Sequence, residues 1–336
     1  MPRGPRLDSP GTLHHVMGRG IDRLSIFQET QDCEDFLDRL DSVIDEFEIH
    51  VYAWALMPDH FHILIRSGPS PISSAMRKLM TGFAVMFNLR HNRHGHVFQN
   101  RYKSIVCEDD PYLMELVRYI HLNPLRAHLV LDFEALEEYP WSGHSVIMDR
   151  IERNWQNTDE ILSRFAETAS KARERYKKFL MDGIAMGKRE DLLGGGLIRS
   201  AGGWSEVLGL RRKKEWMAAD SRILGSGEFV ESMLREVEKK QVDTLRFKTH
   251  NISISDIIKK VAEKRGLDVS EVISGGRRRE IREARNDIAQ LTVKQLGNSG
   301  AEVARCLGVS TSCINRLVAN EKMSEMARLI AESLLT

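Results

Sequence analysis

The chain has 336 residues, 42% hydrophobic and 29% charged, with a formal net charge of +1, the profile of a globular protein with a real core. No apolar run approaches the ~18–20 residues that cross a bilayer, and the first residues lack the apolar centre of a secretion signal, which argues against a membrane role. The four cysteines, Cys33, Cys107, Cys306 and Cys313, form no CxxC pair, which argues against a disulfide framework or a cysteine-built zinc site and for a cytoplasmic protein.

The even charge balance hides an uneven distribution. Residues 1–145 carry 14 Lys and Arg against 20 Asp and Glu, and the remainder carries 35 against 28. Within the acidic part, the 42 residues from Arg66 to Cys107 contain seven cations and no acid. These cations are Arg66, Arg77, Lys78, Arg90, Arg93, Arg101 and Lys103. A surface kept clear of negative charge suits a polyanion; a chance run along a solvated helix face is the alternative.

Three zones are expected: residues 8–148, a helical linker over 149–245, and a basic helical domain over 246–336. In the first, residues 13–20 read as a strand. Residues 31–48 form a helix that places Phe36, Leu37, Leu40, Val43, Ile44 and Phe47 on one face. Residues 51–57 and 60–65 read as strands joined through Pro58-Asp59, 72–91 as a second helix and 102–108 as a further strand. Asp110-Pro111 opens another helix, which ends by Asn123 because Pro124 disfavours helix before it. The expected fold is α+β, an antiparallel sheet covered by helices. In the middle zone, Gly194-Gly195-Gly196 and Gly202-Gly203 lack the strand and GK[ST] of a phosphate loop and read as turns. In the last zone, Arg277, Arg278, Arg279 and Arg282 precede a helix over 282–297. Residues 299–322 then show short helix, Gly308-containing turn and second helix, the pattern of a helix-turn-helix; an ordinary helical hairpin is the alternative.

Two places carry chemistry. On a strand, His60, His62 and Leu64 share one face while Phe61, Ile63 and Ile65 point to the other. Two imidazoles about 7 Å apart along a face can converge on one divalent metal, although an HxH pair also occurs in hydrolases and in satisfied structural sites. On the helix before Pro124, Tyr119 and Asn123 share a face with Glu115, away from the apolar stripe of Leu113, Leu116, Val117 and Ile120. Tyr119 is thereby free to act as a nucleophile, and Asn123 offers a hard oxygen ligand. Tyr112 and Tyr102 compete for the same role.

Residues 54–66 (WALMPDHFHILIR), 95–104 (GHVFQNRYKS) and 112–130 (YLMELVRYIHLNPLRAHLV) together resemble the single-tyrosine HUH transposases, and most of all their REP-associated tyrosine transposase branch. The resemblance implies a ferredoxin-like core, His60 and His62 as metal ligands, Tyr119 as nucleophile and Asn123 where relatives often place a glutamine ligand. It further implies Mg²⁺ or Mn²⁺ as cofactor, single-stranded hairpin ends as substrate and a homodimer. Residues 252–320 are similar to the duplex-binding domain of the bacterial replication initiator, with that protein's recognition segment replaced by Gly308 to Cys313. The expected DNA contacts are Arg66, Arg77, Lys78, Arg101 and Lys103 in the first domain. In the last they are Arg277, Arg278, Arg279, Arg282, Ser310, Thr311, Ser312, Asn315 and Arg316. Phe83, Phe87, Phe98 and Tyr102 are candidates for base stacking. The expected function is strand transfer through a 5′-phosphotyrosine; the alternative is a non-catalytic regulator that binds repeat DNA.

Overall fold

A computed structural model of the chain describes residues 7–187, 189, 192, 220–236, 238, 252–274, 276, 278–296, 298–319 and 323–335. The two glycine runs of the middle zone lie outside the described residues. The chain forms two compact units, Met1–Met233 and Leu234–Thr336.

The first unit is built on a sheet. In chain order it contains β1 (Leu13–Arg19), α1 (Thr30–Phe47), β2 (His50–Met57), β3 (His60–Arg66), α2 (Ile72–Arg90), β4 (Lys103–Cys107) and α3 (Asp109–His121). The short helices α4 (Asn123–Arg126), α5 (Phe133–Glu137) and α6 (Gly143–Ile147) follow, then α7 (Thr158–Ser163), α8 (Ala169–Asp182) and β5 (Ile223–Leu224). The strand order is β2-β3-β1-β4-β5, and the first four strands pair antiparallel. That order of a βαββαβ chain is the ferredoxin-like arrangement. β5, from the region read as linker, adds a parallel edge beside β4 that the sequence pattern does not reveal.

Alternation divides the side chains between two layers. Phe61, Ile63 and Ile65 of β3, with Val16, Trp54 and Leu56 of its neighbours, face α1 and α2. The helices answer with Phe36, Leu37, Leu40, Leu79, Phe83 and Phe87. Phe83 and Phe87 are fully buried there, so they cannot stack on bases as expected; Phe98 is only partly covered. On the other face, Leu13, Ala53, Ala55, Leu64 and Ile105 meet Leu113, Leu116, Val117 and Ile120 of α3.

α3 departs from expectation in two ways. It starts at Asp109 with Glu108 as its cap, two residues before the expected cap Asp110. It also lacks a free polar side: every residue from Leu116 to Leu122 is buried, Tyr119 included at 9% exposure. The cause is a second layer. Tyr176 and Leu180 of α8 and Ile161 of α7 join the same apolar cluster, the Tyr176 hydroxyl meets His121 Nδ1 at 2.7 Å, and the Arg118 guanidinium lies 4.3 Å over Phe179. Residues expected in a linker thus cover the outer side of the tyrosine helix.

The second unit is helical: Ile254–Arg265, Val269–Ile273, Arg279–Ala289 continued by a wider turn over Gln290–Gln295, Gly300–Cys306, Thr311–Ala319 and Glu325–Leu335. Ile257, Val261, Ala284, Ile288, Val303, Leu307, Ile314 and Ile330 form its core. Ser253 and Asp256 close a capping box at its first helix. The turn between Gly300–Cys306 and Thr311–Ala319 needs Gly308. Its φ is +61°, and an added Cβ would stand 2.5 Å from the Ile273 carbonyl oxygen.

Candidate active site

The pairing of β1 with β3 sets Arg19 opposite His60, Met17 opposite His62 and His15 opposite Leu64. Opposed residues share a face, so His15 joins the two expected histidines under α3. The rings form one group. His60 and His62 lie 5.1 Å apart between centroids, and His15 stacks on His62 at 5.2 Å. Tyr119, descending from α3, presents its ring 5.9 Å from both His62 and His15. The structure therefore brings together three of the four residues singled out for catalysis, from elements far apart in sequence.

Hydrogen bonding orients each imidazole. Asp59 Oδ1 lies 2.5 Å from His60 Nδ1, and Arg19 in turn stands 3.5 Å from the other Asp59 oxygen. His15 Nε2 lies 2.9 Å from His62 Nδ1. Both Nδ1 atoms are thus engaged, and among the described residues neither Nε2 has a hydrogen-bond partner. The Asp59 carboxylate can only accept from His60, which fixes that ring with Nε2 as the ligand nitrogen; His62 takes the same form when its Nδ1 donates to His15 Nε2. Burial lowers the pKa of His60, partly offset by the Asp59 carboxylate. Burial, reinforced by His15, His60 and Arg19, holds that of His62 well below its ordinary value. Both rings are therefore neutral at pH 7, the form that binds a metal.

Asn123 opens α4, one turn beyond Tyr119. Its side-chain nitrogen is buried without a hydrogen-bond partner. A half-turn of that amide presents its oxygen instead, a donor type that divalent ions accept alongside imidazole nitrogen. A second carboxylate and imidazole group, Glu29, Asp32 and His91, has another occupation. Asp32 accepts from Arg90 at 2.6 Å, from His91 and from the backbone of Gln28 and Glu29. Burial alone would raise its carboxyl, yet these bonds hold it below its usual pKa. This cluster braces the start of α1.

The expected DNA-contacting cations divide. Arg66 is engaged inside the fold, donating to the Tyr52 hydroxyl at 2.9 Å and pairing with Asp109 at 2.6 Å and Glu160 at 3.5 Å. Lys78 pairs with Glu46. Arg77 and Arg101 are exposed and line a groove of about 770 Å³ between α2 and residues 95–102, together with Asn88, His96 and Phe98 and with no acid. Lys103 is exposed on β4. In the second unit Arg278 pairs with Glu271, and Arg279 with Glu283 at 2.9 Å. Arg279 and Arg282 lie within a helix rather than before it, and Arg277 lies outside the described residues. Ser310 precedes the helix Thr311–Ala319, Thr311 and Ser312 open it, Asn315 lies in its middle and Arg316 in its last turn, and all five are exposed.

Sequence reasoning misses His15, Asp59 and Arg126. Arg126 places its guanidinium 5.8 Å from the Tyr119 ring centre. The alternation rule would have selected His15 had the β1–β3 pairing been visible, and Asp59 adjoins the HxH motif.

The sheet, the paired histidines and the helix-borne tyrosine all lie within one segment that is similar to a known family. Residues 11–123 match the model of the IS200-like transposase family. A solved structure, described as a REP-associated tyrosine transposase bound to a REP hairpin, is similar at 16% identity with a TM-score of 0.38. That likeness covers 47% of this chain and 98% of the other. No curated protein matches the chain.

Proposed function

We propose that the protein is a metal-dependent DNA strand transferase, with Tyr119 as nucleophile and His60, His62 and Asn123 as metal ligands. The observation that carries this reading is the cluster of Tyr119 with the buried His62 and the half-buried His60, whose Nδ1 atoms are both engaged. A hydrolase needs no tyrosine there, and a simple DNA binder needs none of the three.

In the reaction the Tyr119 oxygen attacks the phosphorus of a single-stranded DNA backbone. The bond from phosphorus to the 3′ oxygen breaks, and the phenolic proton ends on that oxygen. The products are a 5′-phosphotyrosine and a free 3′-hydroxyl. One phosphoester replaces another, so the reverse attack by a 3′-hydroxyl rejoins a strand without ATP. A bound Mg²⁺ or Mn²⁺ supplies Lewis-acid neutralisation of the charge that gathers on the non-bridging oxygens. His60 and His62 contribute neutral ligand nitrogens in fixed orientation, and Asn123 contributes an amide oxygen. Burial against His15 and His62 limits the phenol to few rotamers.

DNA reaches this site in two parts on the same reading. The acid-free groove with Arg77, Arg101 and Phe98 suits unpaired nucleotides, whose backbone is anionic and whose bases are flat and apolar. The turn at Gly308 and the helix Thr311–Ala319 act as a helix-turn-helix on duplex DNA, reading with Ser310, Thr311, Ser312, Asn315 and Arg316. Two copies of the chain act together as a homodimer.

The test is cleavage of single-stranded oligonucleotides carrying the repeats that flank the gene, with Mg²⁺ or Mn²⁺, resolved on a denaturing gel. The reading requires a cut strand and a protein–DNA band, both lost in EDTA. Binding without cutting under every metal condition would instead favour the non-catalytic regulator.

A further inference from the structure

Arg126 closes α4, two helical turns beyond Tyr119. One of its nitrogens, Nη2, donates to the Gly183 carbonyl at 3.0 Å. The other two, Nε and Nη1, are buried and make no hydrogen bond. Among the described residues no carboxylate pairs with it. Burial lowers its pKa, and the charged or ionisable groups that act on it are Tyr119, Arg118 and Arg189. Those two arginines both turn to Glu115, at 2.6 and 3.1 Å.

A half-buried guanidinium with two nitrogens shut off from water, no hydrogen bond on either and no counter-ion is costly. Buried donors of this kind call for an acceptor that arrives with the ligand. The planar fork of arginine matches the oxygens of a phosphate. Its position over the Tyr119 ring says which phosphate that is. We propose that Arg126 is a catalytic residue whose Nε and Nη1 bind a non-bridging oxygen of the phosphate that Tyr119 attacks. This rests on Tyr119 being the nucleophile.

The chemistry follows from where charge develops. As the bond from Tyr119 to phosphorus forms, negative charge gathers on the non-bridging oxygens, and fixed donors aimed there stabilise the transition state more than the bound substrate. Arg126 takes up and releases no proton; it serves as donor and charge. Its removal therefore acts on rate rather than on affinity, because the remaining DNA-binding groups are far more numerous. A purely structural role, tying α4 to Gly183, makes a different prediction: lower stability with an unchanged rate in whatever protein folds.

The experiment measures single-turnover formation of the Tyr119–DNA adduct by the full chain, with Mn²⁺ and a labelled single-stranded oligonucleotide. Arg126→Ala is expected to slow the adduct by about 10²–10³-fold, the loss typical of one missing transition-state donor, while oligonucleotide affinity changes by less than about threefold. Arg126→Gln keeps the aliphatic stem and is expected to lose a comparable factor. Free guanidinium added to Arg126→Ala is expected to restore part of the rate, which a packing defect does not allow. If Arg126→Ala fails to fold, Arg126→Gln decides. Adduct formation by the folded variants within about threefold of wild type would overturn the proposal while leaving Tyr119 as nucleophile. No adduct in the wild type overturns both.

Discussion

His14 and His15 are neighbours on β1, both fully buried, yet they point to opposite faces of one sheet and serve different ends. His14 has both ring nitrogens engaged by hydroxyls, Nε2 with Thr12 at 2.7 Å and Nδ1 with Ser104 at 2.9 Å. It is a satisfied polar residue on the side of the sheet covered by α1 and α2. His15 lies on the α3 side, where its partner is another imidazole, His62, and the chain of neighbouring rings runs on to His60 and Tyr119. One face is finished within itself. The other is built so that ligand nitrogens remain. Burial of a histidine is therefore no sign of function; which nitrogen the fold leaves over is.

The largest contrast comes from adjacent residues of β3. His60→Ala or His62→Ala removes a ligand and is expected to abolish adduct formation, with a small change in thermal unfolding. Phe61→Ala, between them on the opposite face, is expected to cost ~3–5 kcal/mol of stability, as for other large-to-small core changes. Denaturant titration read beside the gel assay separates the two. Retained cleavage in either histidine variant would break the comparison.

Next is acid lability. Burial holds His14 down to about 4 and His15 down to about 3. These folded values lie below that of the unfolded chain, so the unfolded state binds more protons as the solution is acidified. Stability is then full above the ordinary histidine pKa of ~6.5 and falls as pH drops toward 4. Urea midpoints taken at about pH 7.5 and pH 5 should show that fall; a flat profile would contradict the neutral, buried assignment of these rings.

Smaller effects sharpen the account of DNA approach. Arg77→Ala with Arg101→Ala should weaken single-strand binding and lower the slope of log affinity against log salt by about 0.7 for each phosphate no longer neutralised. Lys78→Ala, which removes a cation already paired with Glu46, should change the slope least. Smallest of all, Ser104→Ala deprives His14 of one partner and should cost about 1–3 kcal/mol without touching the reaction.

Much of this was legible in the residues. Alternation in HFHILIR separates His60 and His62 from Phe61, Ile63 and Ile65, and the stripe of Phe36, Leu40 and Val43 marks α1. What failed to show depends on packing between distant segments. His15 enters the site only because β1 pairs with β3. Tyr119 reads as lying on an open polar side because α3 is viewed alone; its ring packs on His15 and His62 of the sheet, while Tyr176 and Phe179 of α8 meet its neighbours His121 and Arg118. Arg66 reads as a free cation because Asp109 and Glu160, its partners, lie in other parts of the chain. β5 is two residues long and carries too little pattern to be seen.

The central claim is that Tyr119 becomes joined to DNA, and mapping the joined residue tests it most directly. The full chain is incubated with a single-stranded substrate labelled at its 3′ end, digested with protease, and the labelled peptide is sequenced by mass spectrometry. A 5′-phosphotyrosine keeps the 3′ label on the protein, so the account predicts label on the peptide containing Tyr119, loss of that label in Tyr119→Phe and its retention in Tyr112→Phe. Label on Tyr112, or cleavage with no labelled peptide at all, would contradict it.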